Sequence, residues 1–311
     1  MKPDFQRIHH LREATPDQPT YVAVGVFDGV HRGHQALLRQ MIAAAHEANA
    51  RPAVLTFFPH PAVYLQNLQG RYYLTTLEER VHLLADLGVE LVITHPFDET
   101  TRLTRAAAFV DDLCTHLNLK ALWGGHFSLG YQREGNYAFL QAMGAVRGFS
   151  VHEVNDLLAW QGERVSSSRI RQALAQGQKD VVSNCLGRPY RMTGTVVHGQ
   201  ERGRLIDFPT ANLAVWAEQI IPANGVYATY AWVNGERHAA ATNIGVRPTV
   251  SGHDLTIEAH LLNFSGDLYD QEMSLEFIAY IRPEQKFAGL DALKAQIAQD
   301  VRDIRAILSP A

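Results

Sequence analysis

Cysteine, lysine and long apolar runs are all scarce in this 311-residue chain, and each scarcity removes a class of protein. Two cysteines, Cys114 and Cys185, cannot build a disulfide scaffold, and they show no paired metal-ligand spacing. Each is expected in or near a core. No uninterrupted apolar stretch reaches membrane length, and the opening MKPDFQRIHHLRE lacks the apolar run of a signal peptide. The expectation is therefore a cytoplasmic protein without a membrane partner. A formal charge of -4 and the lack of an extended basic, aromatic-interleaved segment argue against a nucleic-acid binder. The basic residues comprise 5 lysines and 23 arginines. That bias suits bidentate phosphate contacts, although genomic composition produces it equally well.

The chain is too long for one ordinary core, and its 46% hydrophobic content fits two folded domains. The first part alternates strand and helix patterns. Residues 21–26, 53–58, 91–94 and 120–124 read as short apolar strands, and 35–48, 76–87 and 106–117 as helices, the second capped by Thr76 with Glu79 three residues on. This pattern predicts an α/β parallel sheet with ligands beyond the carboxyl ends of its strands. The turn Gly25-Val-Phe-Asp-Gly-Val-His-Arg-Gly-His34 falls at such an end. It matches neither GxxxxGK[ST] nor GxGxxG. Gly25, Gly29 and Gly33 permit close approach or unusual backbone angles. A helix starting near His34 offers unpaired amides, and His31 and His34, three residues apart, can face one anion. In Val165-Ser-Ser-Ser-Arg-Ile-Arg171 three serines precede two arginines at the mouth of a helix expected over 170–176 and offer further phosphate partners.

After Arg188 the pattern changes to strands at 194–198, 225–233, 239–243, 255–263 and 273–281, with Asn234-Gly235 as a hairpin turn. A small antiparallel β-barrel is predicted, closed by a terminal helix whose stripe Leu290, Leu293, Ile297, Val301, Ile304 and Leu308 packs on it. Strand alternation puts Thr256, Glu258 and His260 on one face. Pro209, Thr210 and Asn212 read as a loop with oxygens for Mg²⁺.

GVFDGVHRGHQALL, Phe57-Phe-Pro-His-Pro61, the SSSRIR run, Gly187-Arg-Pro-Tyr190 and His198-Gly-Gln-Glu-Arg-Gly-Arg-Leu-Ile-Asp-Phe-Pro-Thr-Ala-Asn212 together resemble the bacterial bifunctional riboflavin kinase/FAD synthetases across nearly the whole chain. The resemblance implies a Rossmann-like HxGH nucleotidyltransferase domain over 1–184 and a β-barrel riboflavin kinase domain over 185–311. It implies that His31 and His34 stabilise adenylyl transfer from ATP. Gly25, Phe27, Asp28, Gly29, Gly33, His60, Ser167, Ser168, Arg169 and Arg171 would then bind substrates beside them. In the kinase, Glu258 is the implied general base and Thr210 and Asn212 the implied Mg²⁺ ligands. Gly199, Gly203, Arg204, Phe208, Pro209 and Asn243 would line the substrates. Riboflavin, FMN, FAD and ATP are the implied small-molecule partners, bound by a monomer or weak homo-oligomer.

Departures from the family pattern stand out in both halves of the chain. His126 replaces a usual aspartate in Gly124-Gly-His-Phe-Ser-Leu-Gly130, with Leu129 at a common aromatic position. Asp207 replaces a usual glycine, as does Asp270 after Tyr269. A chain with one centre disabled, or a flavin-binding protein without turnover, would carry the same motifs. If Asp207 repels nucleotide phosphate, Asp207→Gly lowers the ATP concentration needed for half-maximal flavin phosphorylation, read from a rate-against-ATP curve.

Overall fold

The computed structural model describes residues 5–15, 17–154, 158–199, 208–249 and 252–309. By its internal contacts the chain divides into two units, Met1–Ser167 and Ser168–Ala311.

The first unit runs β1 (Gln6–Ile8), β2 (Thr20–Gly25), α1 (Arg32–Glu47), β3 (Arg51–Phe58), α2 (Pro61–Gln66), α3 (Leu77–Asp86), β4 (Leu91–Pro96), α4 (Glu99–Leu103), α5 (Ala106–Leu117), β5 (Leu119–Gly124), α6 (Tyr137–Arg147) and β6 (Ser150–Glu153). A small hairpin follows, β7 (Ala159–Trp160) with β8 (Glu163–Arg164). The six-stranded sheet has the order β1-β4-β3-β2-β5-β6, all parallel. Alternate side chains of each strand feed two cores. Val22, Val24, Leu55, Ile93 and Leu122 pack with Phe109, Val110 and Leu113 of α5. Ala23, Val54, Val92 and Ala121 pack with Leu38 and Met41 of α1 and Val81 and Leu84 of α3. Burial on both faces explains why these strands read as continuous apolar runs rather than as alternation.

The chain leaves β2 toward β3 and β4 on one side and later returns to β5 on the other. The turn after β2 therefore sits at the point where strand order reverses, the place such sheets reserve for ligands.

The second unit holds all but the first residue of α7 (Ser167–Ala175), followed by α8 (Lys179–Leu186), β9 (Tyr190–Val197), β10 (Ala211–Val215), β11 (Gly225–Val233), β12 (Glu236–Thr249), β13 (Gly252–Leu261), β14 (Glu272–Arg282) and α9 (Leu290–Leu308). The six strands close into an antiparallel barrel in the order β10-β13-β12-β11-β14-β9. Its interior holds Met192, Val196, Ile257, Ala259, Met273 and Leu275. On the outside, Ile304 and Leu308 of α9 pack against Val226, Ala228 and Leu262.

Several boundaries differ from expectation. Strands β1 and β6 and helix α6 are additional, because short edge strands and a helix of mixed polarity give weak periodic signals. Helix α1 begins three residues before the predicted 35, because a histidine performs the capping that Ser, Thr, Asp or Asn normally supplies. Helix α7 starts at Ser167, so Ser167, Ser168 and Arg169 lie inside it rather than ahead of it, and Ser166 stands before it. Asn212 lies in a strand, not a loop. Leu290 is 66% exposed and leaves the expected stripe.

His95, near the end of β4, illustrates a cost of this packing. Its Nδ1 accepts from the Leu11 amide at 3.3 Å, and its ring lies 4.5 Å from that of His10. Burial first, then His10, push its pKa down to about 4. The folded chain thus keeps His95 neutral where the unfolded chain takes up a proton. Stability is intact above pH 6.5 and falls as pH drops from 6.5 toward 4, by about 2 kcal/mol after allowance for screening at the partly solvated ring. Denaturant unfolding at pH 7 and pH 4.5 measures the loss, and His95→Asn, which keeps an acceptor but not the titration, shrinks it.

Candidate functional sites

The first site is the turn between β2 and α1. Phe27 and Val30 adopt positive φ of 53° and 38°, and Gly29 one of 80°. For Phe and β-branched Val such angles cost on the order of 1–3 kcal/mol each and persist only where surroundings over-determine them. The determinant is Asp28, which is 1% exposed. Its carboxylate accepts the Leu74 amide at 3.1 Å and the Thr75 amide and hydroxyl at 3.2 and 3.3 Å. The Arg80 guanidinium lies 3.6 Å away. Thr75 Oγ1 also accepts the Gly29 amide, and the Ser167 hydroxyl donates to the Asp28 carbonyl at 2.8 Å. Asp28, expected at a nucleotide, instead points into its own chain, where its charge compensates a fully buried arginine.

His31 follows as the N-cap of α1. Its Nδ1 accepts the His34 amide at 3.2 Å, so the ring proton of neutral His31 sits on Nε2. The His34 ring stacks on it at 3.5 Å and 16°. Gly33 is the residue that allows this, because a Cβ there would lie 3.2 Å from the His31 ring. At Gly25 a Cβ would come within 3.1 Å of the Phe27 ring. Both glycines make room for the chain's own rings rather than for open backbone. Gly29 alone of the three has positive φ. Nδ1 of His34 is buried with no hydrogen-bond partner among the described residues. Burial, then His31, Arg80 and Arg164, hold the His34 pKa well below its ordinary value. The pair therefore offers neutral imidazoles beside the positive end of a 16-residue helix. Such a site suits an anion and can donate hydrogen bonds to developing negative charge.

His60 stands beyond β3, where its Nδ1 accepts the Ala62 amide and caps α2, and its amide donates to the Tyr73 hydroxyl. Ser167 reaches the turn. Ser168, Arg169 and Arg171 belong to the second unit.

The second site is a cleft of about 340 Å³ between the outer barrel wall and α9. Strand register builds it. Asn212 pairs with Glu258, Glu258 with Asn243, Asn243 with Val226, and Val226 with Arg282, one lateral row across five strands. Four of these, from Glu258 to Arg282, line the cleft with Phe208, Thr210 and His260. The Thr210 hydroxyl donates to Glu258 Oε2 at 3.4 Å. A Cβ at Gly199 would lie within 2.6 Å of the Asn212 amide carbon, so that glycine seats the amide. Hydroxyl, amide and carboxylate oxygens side by side are hard donors of the kind Mg²⁺ takes, and the cradle fits that ion. Gly203 and Arg204, like Asp207, lie outside the described residues. Leu293 and Ile297 of α9 form the opposite wall, so two of the six residues of the predicted packing stripe serve the cleft.

Sequence reasoning missed Arg80, Arg282 and Asp300. Asp300, 3% exposed, holds Arg282 through bonds of 2.7 to 3.1 Å and accepts Gln296 Nε2 at 2.9 Å. A signal existed for Arg80, a charge on the apolar face of α3 between Leu77 and Leu84. The same signal existed for Asp300, a charge between Ile297 and Ile304 on the stripe of α9, but nothing named its partner, 18 residues away.

Asp28→Asn leaves Arg80 buried without its counter-charge. It should destabilise the first unit by about 3 kcal/mol, read as faster hydrogen exchange in β2, α1 and α3 with β11–β14 unaffected.

A model of FAD synthetases matches residues 13–169, and one of riboflavin kinases matches 186–308. The chain is 39% identical to the bifunctional riboflavin kinase/FMN adenylyltransferase of Escherichia coli K12, covering 94% of each chain. It is 37% identical to the one so named from Listeria monocytogenes, covering 97% of each. A crystal structure from Streptococcus pneumoniae described as a macrolide-efflux protein superposes with a TM-score of 0.87 at 27% identity, over 97% of this chain and 98% of that one. No helix among the described residues is long and apolar enough to cross a membrane.

Proposed function

This chain belongs to the family of bifunctional riboflavin kinase/FMN adenylyltransferases, and from the two sites we propose how it divides its work. The enzyme makes FAD in two steps, phosphorylation of riboflavin to FMN and adenylylation of FMN. We assign the second step to the histidine turn and the first to the barrel cleft, with the functional boundary at 184/185. The observation that carries this division is the pair of unlike sites. One offers neutral stacked imidazoles at a helix start. The other sets a carboxylate in a row of oxygen donors.

In the barrel, ATP transfers its γ-phosphoryl group to the terminal hydroxyl of riboflavin. Glu258 accepts the hydroxyl proton as oxygen attacks phosphorus, and ADP leaves. Thr210 and Asn212 would hold Mg²⁺, which when bound supplies positive charge to the phosphates. Glu258 accepts a hydrogen bond from the Thr210 hydroxyl, which keeps its Oε2 facing the metal side of the cleft. Phe208, Pro209, Asn243 and Gly199 shape the walls, and Gly203 and Arg204 are assigned to the nucleotide on their motif alone.

At the turn, an FMN phosphate oxygen attacks the α-phosphorus of ATP and pyrophosphate departs. No covalent protein intermediate is needed. His31 presents Nε2–H, since Nδ1 is used by the cap. His34 is neutral, and stabilises by hydrogen bonding rather than by full charge. Asp28 acts through position, by holding the strained turn. Ser168, Arg169 and Arg171 are assigned to the triphosphate on their motif alone. We place the enzyme in the cytoplasm, as a monomer or weak homo-oligomer, with flavins and ATP as partners.

His31→Ala should lower FAD formation from FMN by about 10²–10³-fold and spare FMN formation. Glu258→Ala should lower riboflavin phosphorylation by about 10²–10⁴-fold and spare FAD formation when FMN is supplied. Chromatographic separation of the two products decides the matter, and loss of both products in either variant defeats the division.

A further inference from the structure

His260 has no role in the division above, yet it lines the same cleft two residues from Glu258 on the same face of β13. Opposite it runs the segment Phe208–Thr210, which leads into β10. The ladder between β10 and β13 ends at Ala211 and Ala259. Pro209 has no N–H with which to extend it. Where the backbone ladder stops, the imidazole takes over: His260 Nδ1 lies 2.8 Å from the Pro209 carbonyl. A carbonyl only accepts, so Nδ1 carries the proton. The Phe208 ring meets the imidazole edge-on at 5.4 Å. The next residue is Thr210, whose hydroxyl meets Glu258.

We propose that His260 is a positioning residue of the kinase centre, stapling Pro209 so that the Thr210 hydroxyl is held at Glu258 for the magnesium–nucleotide complex. The inference rests on the assignment of that centre to Thr210 and Glu258. The staple acts on the metal side of the cleft, so its loss raises the requirement for Mg–ATP and leaves that for riboflavin alone.

The full-length enzyme is titrated with Mg–ADP by calorimetry, and riboflavin phosphorylation is measured against each substrate. One neutral hydrogen bond corresponds to about a three- to tenfold change. His260→Ala should weaken Mg–ADP binding and raise the KM for Mg–ATP by that factor, with the KM for riboflavin unchanged. His260→Asn places an amide N–H where Nδ1–H stands and should recover most of the affinity. In the metal-free wild type, a slowly exchanging Nδ1–H resonance of His260 is expected. Unchanged Mg–ADP affinity in His260→Ala, or an Asn variant as weak as the Ala variant, overturns the inference. If Thr210→Ala also loses nothing, the assignment of the centre falls with it. If Thr210→Ala alone loses affinity, only the role of His260 falls.

Discussion

One buried carboxylate organises the histidine turn after β2. Asp28 satisfies two amides and a hydroxyl from the 74–75 segment and balances the charge of Arg80, all within the interior. Those bonds hold the turn against the unfavourable angles of Phe27 and Val30. The geometry of everything after the turn follows from that hold. His31 arrives where its Nδ1 can cap α1, and His34 stacks on its ring. The charge logic is coupled to the same bond. Arg80 helps to keep His34 neutral, and Asp28 makes Arg80 tolerable at 0% exposure.

The barrel solves its positioning problem differently. No strained loop is needed among the described residues, because the register of five antiparallel strands puts Asn212, Glu258, Asn243, Val226 and Arg282 in line on the outer face. A strand residue has little freedom to wander once its ladder is made, so Glu258 and its neighbouring oxygen donors are fixed by backbone pairing. At one end of the row Gly199 seats the Asn212 amide. At the other, Asp300 locks Arg282 to α9 and so joins the helix to the wall it faces.

Much of this was legible in the chain. Glu258 and His260 on one strand face, Thr76 as a cap and the hairpin at Asn234-Gly235 follow from local rules, and local rules suffice where each partner lies a few residues away. The role of Asp28 was not legible, since its partners lie 46 to 47 residues on and Arg80 farther still. Gly25 and Gly33 looked like openings for a phosphate and proved to be room for the rings of Phe27 and His31. Asn212 looked like a loop residue because Pro209 interrupts the strand pattern just before it.

By itself the sequence determined the family, the two architectures and the paired activities, because hydrophobic period, turn residues and short motifs are written along the chain. Tertiary structure alone decided the protonation of His34, the inward aim of Asp28 and the row that joins Asn212 to Arg282. These depend on what surrounds a group in space: desolvation, an opposing charge or a register partner, supplied by residues that no local spacing relates.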